Sequence, residues 1–258
     1  KKDELFNIAS NVDNRVIDLA ERFWPGPLTI VLQKKDIIPD IVTSGLQTVG
    51  IRMPSHPIAL QLIELSECPI AAPSANKFGR ISPTKAIHVK KQLPNLECII
   101  DGGQTNVGIE STVITLVEDG FVLLRNGIIT EEDIQTIIPK SNTLIKNPLK
   151  NSSPGMMNSH YSPEKPLYIF NEVNFEINYQ NAAYIAFYEK PKENYKKIEV
   201  LTSNGNLREA AVNFFDVLHR LEQSDVEYII AESVPEQGIG KAIMDRLRKA
   251  AYRYKGSK

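Results

Sequence analysis

Cysteine and histidine are scarce in this chain, whose 258 residues include only two cysteines, Cys68 and Cys98, and four histidines. Both cysteines lie in or beside short apolar runs, so we expect reduced, buried thiols of a cytoplasmic protein rather than a disulfide. The histidines are widely scattered and lack the spacing of metal ligands. We therefore expect no metal site built by the protein alone.

The chain also lacks an excess of charge of one sign, and it lacks long apolar runs. Lysine and arginine number 30 against 31 aspartates and glutamates, a net charge of -1 that gives no sequence-wide reason to expect stable nucleic-acid binding. No apolar run has the length that crossing a bilayer requires, and no signal peptide is recognisable, so we expect a soluble cytoplasmic protein without membrane association. A composition of 42% hydrophobic and 24% charged residues suits one large or two modest domains.

The first half of the chain alternates helical and strand-like patterns. Apolar spacing predicts a helix over residues 11–23, then a stiff turn in which Trp24 is a core anchor, and a buried strand over residues 28–32. A second strand, residues 48–52, leads into a helix over residues 58–65. The chain does not begin with Met and enters directly into this pattern, so we predict that an opening segment of the domain is missing.

A polar loop follows the apolar run of residues 70–72, for which we predict a strand ended by a proline. Ser82 precedes another proline, and a serine followed by a proline is typical of a helix N-cap. The sequence therefore predicts a strand, a loop and a helix in this order. Ser74, Asn76 and Ser82 are neutral donors suited to phosphate oxygens at a helix start that favours anions. The alternative is a surface turn in which Ser74 and Asn76 bond only their own backbone.

Arg52 closes the strand of residues 48–52 just before a proline-rich loop. Its planar guanidinium can bind a carboxylate or a phosphate through two hydrogen bonds, which predicts an anion-binding arginine at this strand end. The alternative is a surface arginine paired with Glu64 or Glu67.

A β-hairpin is predicted where residues 110–116 and 121–125 flank a Glu-Asp-Gly turn. The start of one strand and the end of the other meet in an antiparallel pair, so Ser111 and Arg125 are expected to lie together, although cross-strand hydrogen bonding alone would also explain them. Residues 98–100 are predicted to form a further buried strand.

The second half begins with residues 140–166, which lack sustained periodicity and are interpreted as an interdomain linker. The segments 153–156 and 160–163 place Met, His and Tyr in it, which is typical of a loop that closes over a ligand. Beyond it, strand patterns alternate with helices and predict a small α/β domain with a largely parallel sheet. His219 is expected on the surface of its helix.

Several motifs resemble the YrdC-like fold family in their order and spacing: FWPGPLTIVL (23–32), TVGIRMPSHP (48–57), APSANKFGRISPT (72–84), GIESTVI (108–114) and LLRNG (123–127). The SPGM and HYSP segments and the ending GIGKAIMDRLRKA (238–250) resemble its longer, two-domain members, the threonylcarbamoyl-AMP synthases. The resemblance implies an α/β fold: a YrdC-like twisted mixed sheet in residues 1–139, an active-site lid in residues 140–166, and a smaller Rossmann-like domain in residues 167–258.

The resemblance further implies a nucleotidyltransferase that joins L-threonine, bicarbonate and ATP into threonylcarbamoyl-adenylate and pyrophosphate, the first step towards threonylcarbamoyladenosine in tRNA. Mg²⁺ would arrive with ATP, and the downstream partner would be the tRNA threonylcarbamoyl transferase complex. No residue is assigned as acid, base or nucleophile, and the chain shows no catalytic triad or activated cysteine.

Site residues carried over from the matching motifs fall into two groups. The ATP-binding group is Thr48, Ser74, Asn76, Ser82, Arg125, His160 and Tyr161. The threonine-binding group is Arg52, Ser111 and the backbone at Ala72.

Two departures from the family pattern concern the phosphates. The opening segment of the family, which carries a lysine and an arginine for the triphosphate, has no counterpart in this sequence. Asn158 and Ser159 stand where relatives often carry an aromatic and a basic residue. This difference predicts that the lid binds the phosphates more weakly or in a different way.

Two other functions are compatible with this kind of domain. A non-catalytic RNA-binding module would use the lysine-rich tail and would bind RNA with a steep salt dependence and no need for ATP. Carbamoyl transfer in hydrogenase maturation uses a related domain, but the zinc-finger cysteines that accompany it are absent from this sequence.

Overall fold

The computed structural model describes residues 2–143 and 159–254. Its helices, in chain order, are α1 (Leu5–Ile8), α2 (Asn14–Phe23), α3 (Asp40–Thr43), α4 (Pro57–Ser66), α5 (Ala86–Gln92), α6 (Glu131–Gln135), α7 (Leu207–Glu222) and α8 (Ile239–Tyr252), with 3-10 turns at Lys2–Glu4 and Phe170–Glu172. Its strands are β1 (Leu28–Gln33), β2 (Thr48–Ile51), β3 (Thr112–Val117), β4 (Gly120–Arg125), β5 (Leu167–Ile169), β6 (Ala182–Ala186), β7 (Lys197–Val200) and β8 (Tyr228–Ala231).

Contacts divide the described residues into two compact units: residues 2–73 with 110–143, called unit 1, and residues 74–109 with 159–254, called unit 2. This division by contacts differs from the predicted sequence boundaries after residues 139 and 166, which stay predictions. None of the helices in either unit is both long and apolar enough to span a membrane.

Unit 1 contains a mixed sheet of strand order β2-β1-β3-β4. β1 pairs antiparallel with β2 and parallel with β3, and β3 pairs antiparallel with β4, which confirms the predicted hairpin. α2 begins after Asp13, whose carboxylate accepts hydrogen bonds from the backbone N–H groups of Arg15 and Val16. Trp24 lies in the apolar core of this unit and is 5% exposed, so its predicted anchor role is confirmed.

Unit 2 contains a sheet of order β5-β8-β6-β7 in which every pairing is parallel, as predicted. β6 is buried at every residue, which is typical of a parallel strand covered on both faces. α7 begins at the N-cap Asn206, and α7 and α8 both pack into the main apolar core of the unit.

Two predicted strands are wrong. Residues 70–72 and 98–100 form no strand in the described part of the chain, and Ile70 and Ile100 are 43% and 59% exposed. A run of three apolar residues becomes a strand only where a neighbour pairs with it, and the local pattern does not provide that neighbour. Cys68 and Cys98 beside these runs are therefore exposed free thiols rather than the predicted buried ones.

The start of α5 also differs from its prediction. The N-cap position falls at Lys85, not at Ser82. The backbone N–H of Thr84, just before the helix, donates to His88 Nδ1 at 3.2 Å. The acceptor for this N–H is therefore a histidine ring within the helix. His219, predicted on the surface, is 1% exposed because its ring stacks on that of His88, with 3.8 Å between the ring centroids.

Candidate ligand-binding site

The directions of the four strands in unit 1 bring several site residues to one end of the sheet. β2 and β4 end there, and β1 and β3 begin there, because each of the first two runs antiparallel to its neighbour. Arg52 follows β2, Ser111 precedes β3 and Arg125 ends β4. These three residues and Thr29 of β1 are called the sheet-end cluster.

Hydrogen bonds connect three members of the sheet-end cluster. Arg125 donates from Nε to the carbonyl oxygen of Ser111 and from Nη2 to Ser111 Oγ, both at 3.0 Å. The hydroxyl oxygens of Ser111 and Thr29 are 2.8 Å apart. The predicted proximity of Ser111 and Arg125 is thus confirmed, whereas Thr29 was missed. A polar residue inside the apolar run of β1 was the available signal for it.

The Trp24–Pro27 turn holds this end of the sheet together. The N–H of Gly26 donates to the carbonyl oxygen of Met53 at 2.8 Å, and the N–H of Thr112 donates to that of Pro27 at 3.0 Å. The turn therefore ties the residue after Arg52 to the residue after Ser111. Gly127 approaches the same strand, since a Cβ there would lie 2.3 Å from the Thr112 nitrogen, which leaves room for glycine alone.

Arg52 is exposed and has no hydrogen bond or ion pair with any described residue, so the alternative pairing with Glu64 or Glu67 is not observed. Desolvation by the surrounding protein lowers the pKa of its guanidinium, but an arginine remains protonated at neutral pH. The sheet-end cluster thus contains one arginine bonded to a serine and one exposed arginine whose charge is not neutralised by a described carboxylate.

Two predicted site residues of unit 1 lie apart from this cluster. Thr48 begins β2 opposite Gln33, at the other end of the sheet from Arg52. Ala72 lies in the exposed irregular segment after α4. The structure does not bring either residue to the sheet-end cluster, and their ligand contacts stay predictions.

The polar loop that begins at Ser74 belongs to unit 2. Asn76 Nδ2 donates to the carbonyl oxygens of Lys77 and Arg80 at 2.9 and 3.2 Å, so Asn76 stabilises its own turn as the surface-turn alternative requires. Its Oδ1 is buried and has no hydrogen-bond partner among the described residues. Ser74 is exposed, and the carbonyl oxygen of Ser82 lies 3.1 Å from His219 Nε2.

His160 and Tyr161, predicted in the lid, are buried within unit 2. The backbone N–H of His160 donates to the carbonyl oxygen of Lys249 at 3.3 Å. The ring centroids of Tyr161 and Phe215 are 5.3 Å apart. The residue after them, Ser162, donates its backbone N–H to the polar loop, at the carbonyl oxygen of Gly79. The lid residues 153–156 and Asn158 lie outside the described residues.

A charged cluster that sequence reasoning missed lies beside the polar loop, where His88 and His219 stack above Asp216. The Lys85 Nζ lies 2.6 Å from an Asp216 carboxylate oxygen, and Arg220 forms a second ion pair with the same group. Burial favours the neutral carboxyl, but Lys85 and Arg220 outweigh it and hold the pKa of Asp216 below its usual value. No local pattern signals this cluster, because its members come from segments more than a hundred residues apart in sequence.

Burial determines the charge of both histidines. Desolvation, with a smaller contribution from His219, lowers the pKa of His88 to about 4. Desolvation also lowers the pKa of His219, against the opposing effect of its bond to Ser82. Both rings are therefore neutral at neutral pH. The charged groups that face the two rings are Asp216 and Glu222 from α7 and Lys85 and Lys91 from α5 and the residue before it.

We predict that the free energy of unfolding falls as the pH decreases from about 6.5 towards about 4. In this window the unfolded state binds a proton at His88 that the folded state does not, so stability is present above the unfolded pKa and is lost below it, by on the order of 3 kcal/mol. His88→Phe should flatten this dependence in urea titrations, whereas Ile87→Phe, at an exposed position on the same helix, should not. An unchanged pH slope in His88→Phe would contradict the prediction.

The protein is a two-domain α/β protein with a candidate site for anionic ligands. Its mixed sheet has arginine and hydroxyl side chains at one end, and a parallel α/β unit follows in sequence. Comparison with known proteins identifies the family within this class. Residues 1–127 match the family model described as Telomere recombination, and residues 129–252 match the model described as Threonylcarbamoyl-AMP synthase, C-terminal domain. The chain belongs to the threonylcarbamoyl-AMP synthase family.

Relatives and solved structures agree with this assignment. The chain is 41% identical to the threonylcarbamoyl-AMP synthase of Pyrococcus abyssi, over 96% of this chain and 77% of that protein. It is 39% identical to that of Bacillus subtilis, over 96% and 76% of the two chains. The crystal structure of P. abyssi Sua5 complexed with L-threonine matches with a TM-score of 0.84 at 38% identity, over 98% of this chain and 78% of that one. The predicted fold class and family are thereby confirmed.

Proposed function

We propose that this chain joins L-threonine, bicarbonate and ATP into threonylcarbamoyl-adenylate and pyrophosphate, and so acts as a nucleotidyltransferase. The observation that carries the proposal is the match of both family domains, together with the identity to the P. abyssi threonylcarbamoyl-AMP synthase across 96% of this chain. We further infer that the product serves tRNA modification in the cytoplasm, through a downstream tRNA threonylcarbamoyl transferase complex.

The reaction depends on positioning and charge rather than on a covalent nucleophile. The threonine amine and bicarbonate form a carbamate with loss of water, and a carbamate oxygen attacks the α-phosphorus of ATP as the bond to pyrophosphate breaks. Negative charge spreads over the phosphate oxygens during this transfer. Fixed arginines and N–H or O–H donors therefore stabilise the transition state.

The sheet-end cluster supplies groups suited to the amino acid. Arg52 would bind the threonine carboxylate, since it is exposed and has no carboxylate partner among the described residues. Ser111, whose hydroxyl is oriented by Arg125 and Thr29, would contact the rest of the substrate. The crystal structure of P. abyssi Sua5 complexed with L-threonine supports this ligand for the family.

The polar loop supplies groups suited to the nucleotide. Ser74, Asn76 and Ser82 would contact ATP, and the family resemblance assigns Arg125 to the same nucleotide. His160 and Tyr161 would also contact ATP. A solved variant of P. abyssi Sua5 with a neighbouring histidine and tyrosine replaced by alanine matches this chain with a TM-score of 0.83, and this sequence also contains an adjacent His-Tyr pair, His160 and Tyr161.

Mg²⁺ would enter with the phosphates of ATP and would neutralise part of their charge. Within residues 2–143 and 159–254, no group of three or more His, Cys, Asp or Glu side chains could hold a metal ion. In this proposal Mg²⁺ is carried by the nucleotide, and the arginines and hydroxyls would act on the substrate oxygens.

The proposal predicts that pyrophosphate release requires both threonine and bicarbonate. The measurement is a coupled pyrophosphate assay with ATP and Mg²⁺, in which each co-substrate is omitted in turn and the adenylate is identified by mass spectrometry. Omission of either should reduce the rate to background, because no carbamate forms. Equal release without threonine would refute the proposal, and RNA binding without any ATP-dependent turnover would favour the non-catalytic alternative.

A further inference from the structure

His219 of α7 forms a hydrogen bond to the polar loop. Its Nε2 lies 3.1 Å from the carbonyl oxygen of Ser82. A carbonyl oxygen only accepts, so Nε2 carries the proton and the neutral ring donates. His219 is 1% exposed, so this bond is shielded from water.

The orientation of the His219 ring is itself fixed from two sides. The His88 ring stacks on it at 3.8 Å with an angle of 21° between the planes. His88 is held in turn because its Nδ1 accepts from the backbone N–H of Thr84, two residues after Ser82. The two histidines thus connect the last turn of α7 to both ends of the short segment Ser82–Thr84.

Other contacts hold the neighbouring part of the polar loop from α5. Gln92 Nε2 donates to the carbonyl oxygen of Ile81 at 2.9 Å, and Gln92 Oε1 accepts from the backbone N–H of Lys77 at 3.2 Å. The next peptide, between Ser82 and the proline that follows it, is held through the Ser82 carbonyl by His219. The backbone at Ser82, from which its side chain projects, is therefore held by a helix from the C-terminal part of the chain.

We propose that His219 is a positioning residue for nucleotide binding: it fixes the Ser82 carbonyl and thereby the Ser82 side chain that contacts ATP. This inference rests on the proposed function for the role of Ser82 and goes beyond it, because it gives α7 a part in ATP affinity in addition to its packing. The histidine ring itself does not touch substrate and is not a catalytic residue.

Two substitutions separate the hydrogen bond from the packing. His219→Phe keeps a ring that stacks on His88 but removes the donor, whereas His219→Gln keeps an N–H at a similar position. Titration calorimetry of the full chain with a non-hydrolysable ATP analogue and Mg²⁺ measures the effect without turnover. We expect the Kd of the analogue to increase about fivefold in His219→Phe, which corresponds to the loss of one neutral hydrogen bond. In His219→Gln the Kd should change by no more than about twofold. Threonine affinity should not change in either variant.

Ser82→Ala completes the test. If His219 acts through Ser82, then His219→Phe should cause little further loss of analogue affinity in the Ser82→Ala background. Additive losses, equal losses in the Phe and Gln variants, or an unchanged Kd in His219→Phe would each overturn the inference.

A measurement on the unsubstituted protein applies even if the variants fail to fold. Nitrogen-15 NMR of the histidine rings should show His219 as the neutral tautomer protonated at Nε2 and should show its signals shifting on addition of the analogue. A different tautomer or unshifted signals would overturn the inference. If the analogue binds as expected but no threonine-dependent pyrophosphate release occurs, the proposed reaction fails and the role of His219 stands; if the protein does not bind the analogue, the role of His219 fails.

Discussion

Replacement of Arg125 by alanine is expected to lower kcat/KM for ATP by about 10²- to 10³-fold, the usual cost of removing a group that stabilises developing charge. The same change should raise the KM for threonine. Arg125 donates to both the backbone and the hydroxyl of Ser111, so its loss releases the serine assigned to the amino acid. An effect on both substrates from one side chain is the specific result expected from this geometry.

Stability should decrease in the same variant. Two hydrogen bonds from a charged donor disappear, one of them to a backbone carbonyl at the start of β3, and each is worth roughly 1.5–3 kcal/mol before the site relaxes. Arg125→Lys keeps the charge but not the planar fork, so it should recover only part of the ATP affinity and little of the Ser111 contact.

Ser111→Ala provides the matched control, since it removes the hydroxyl and leaves Arg125 in place with its bond to the carbonyl oxygen. We expect a raised KM for threonine with a smaller change for ATP. Steady-state kinetics with each substrate varied, together with urea unfolding, measures all three variants. A loss confined to ATP in Arg125→Ala would show that the arginine does not organise the threonine side.

The sheet-end cluster was predictable to the extent that local patterns fix strands and their directions. The apolar run of β1, the Glu-Asp-Gly turn and the position of Ser111 and Arg125 at the two hairpin ends are short-range features, and the structure confirms them. Once the strand directions are known, the position of Arg52 at the same end follows from the pairing of β2 with β1.

Features that depend on distant partners were not predictable in this way. Residues 70–72 and 98–100 have apolar patterns, but no described strand pairs with them. The burial of His219 depends on His88, which is more than a hundred residues earlier and carries no matching local signal. The role of Thr84 ahead of α5 likewise depends on a ring nitrogen that helix-capping rules do not consider.

Arg52→Ala should affect threonine alone, whereas Arg125→Ala should affect both substrates. We expect the KM for threonine to rise by about 30-fold, the size of a charge-assisted hydrogen-bonded contact worth roughly 2 kcal/mol, while the KM for ATP changes little. Arg52 is exposed and forms no hydrogen bond or ion pair with any described residue, so the free energy of unfolding should stay the same.

A substrate analogue tests the carboxylate contact directly. Threoninol has the amine and hydroxyl of threonine but no carboxylate, so the unsubstituted protein should bind it at least tenfold more weakly than threonine. Arg52→Ala should bind the two compounds with similar affinity, because the group that distinguishes them has been removed; Arg52→Lys should keep part of the preference, since a point charge still attracts a carboxylate. Competition binding measures each affinity. A preference for threonine that survives in Arg52→Ala would assign the carboxylate to another cation, and a raised KM for ATP instead would place Arg52 on the nucleotide side.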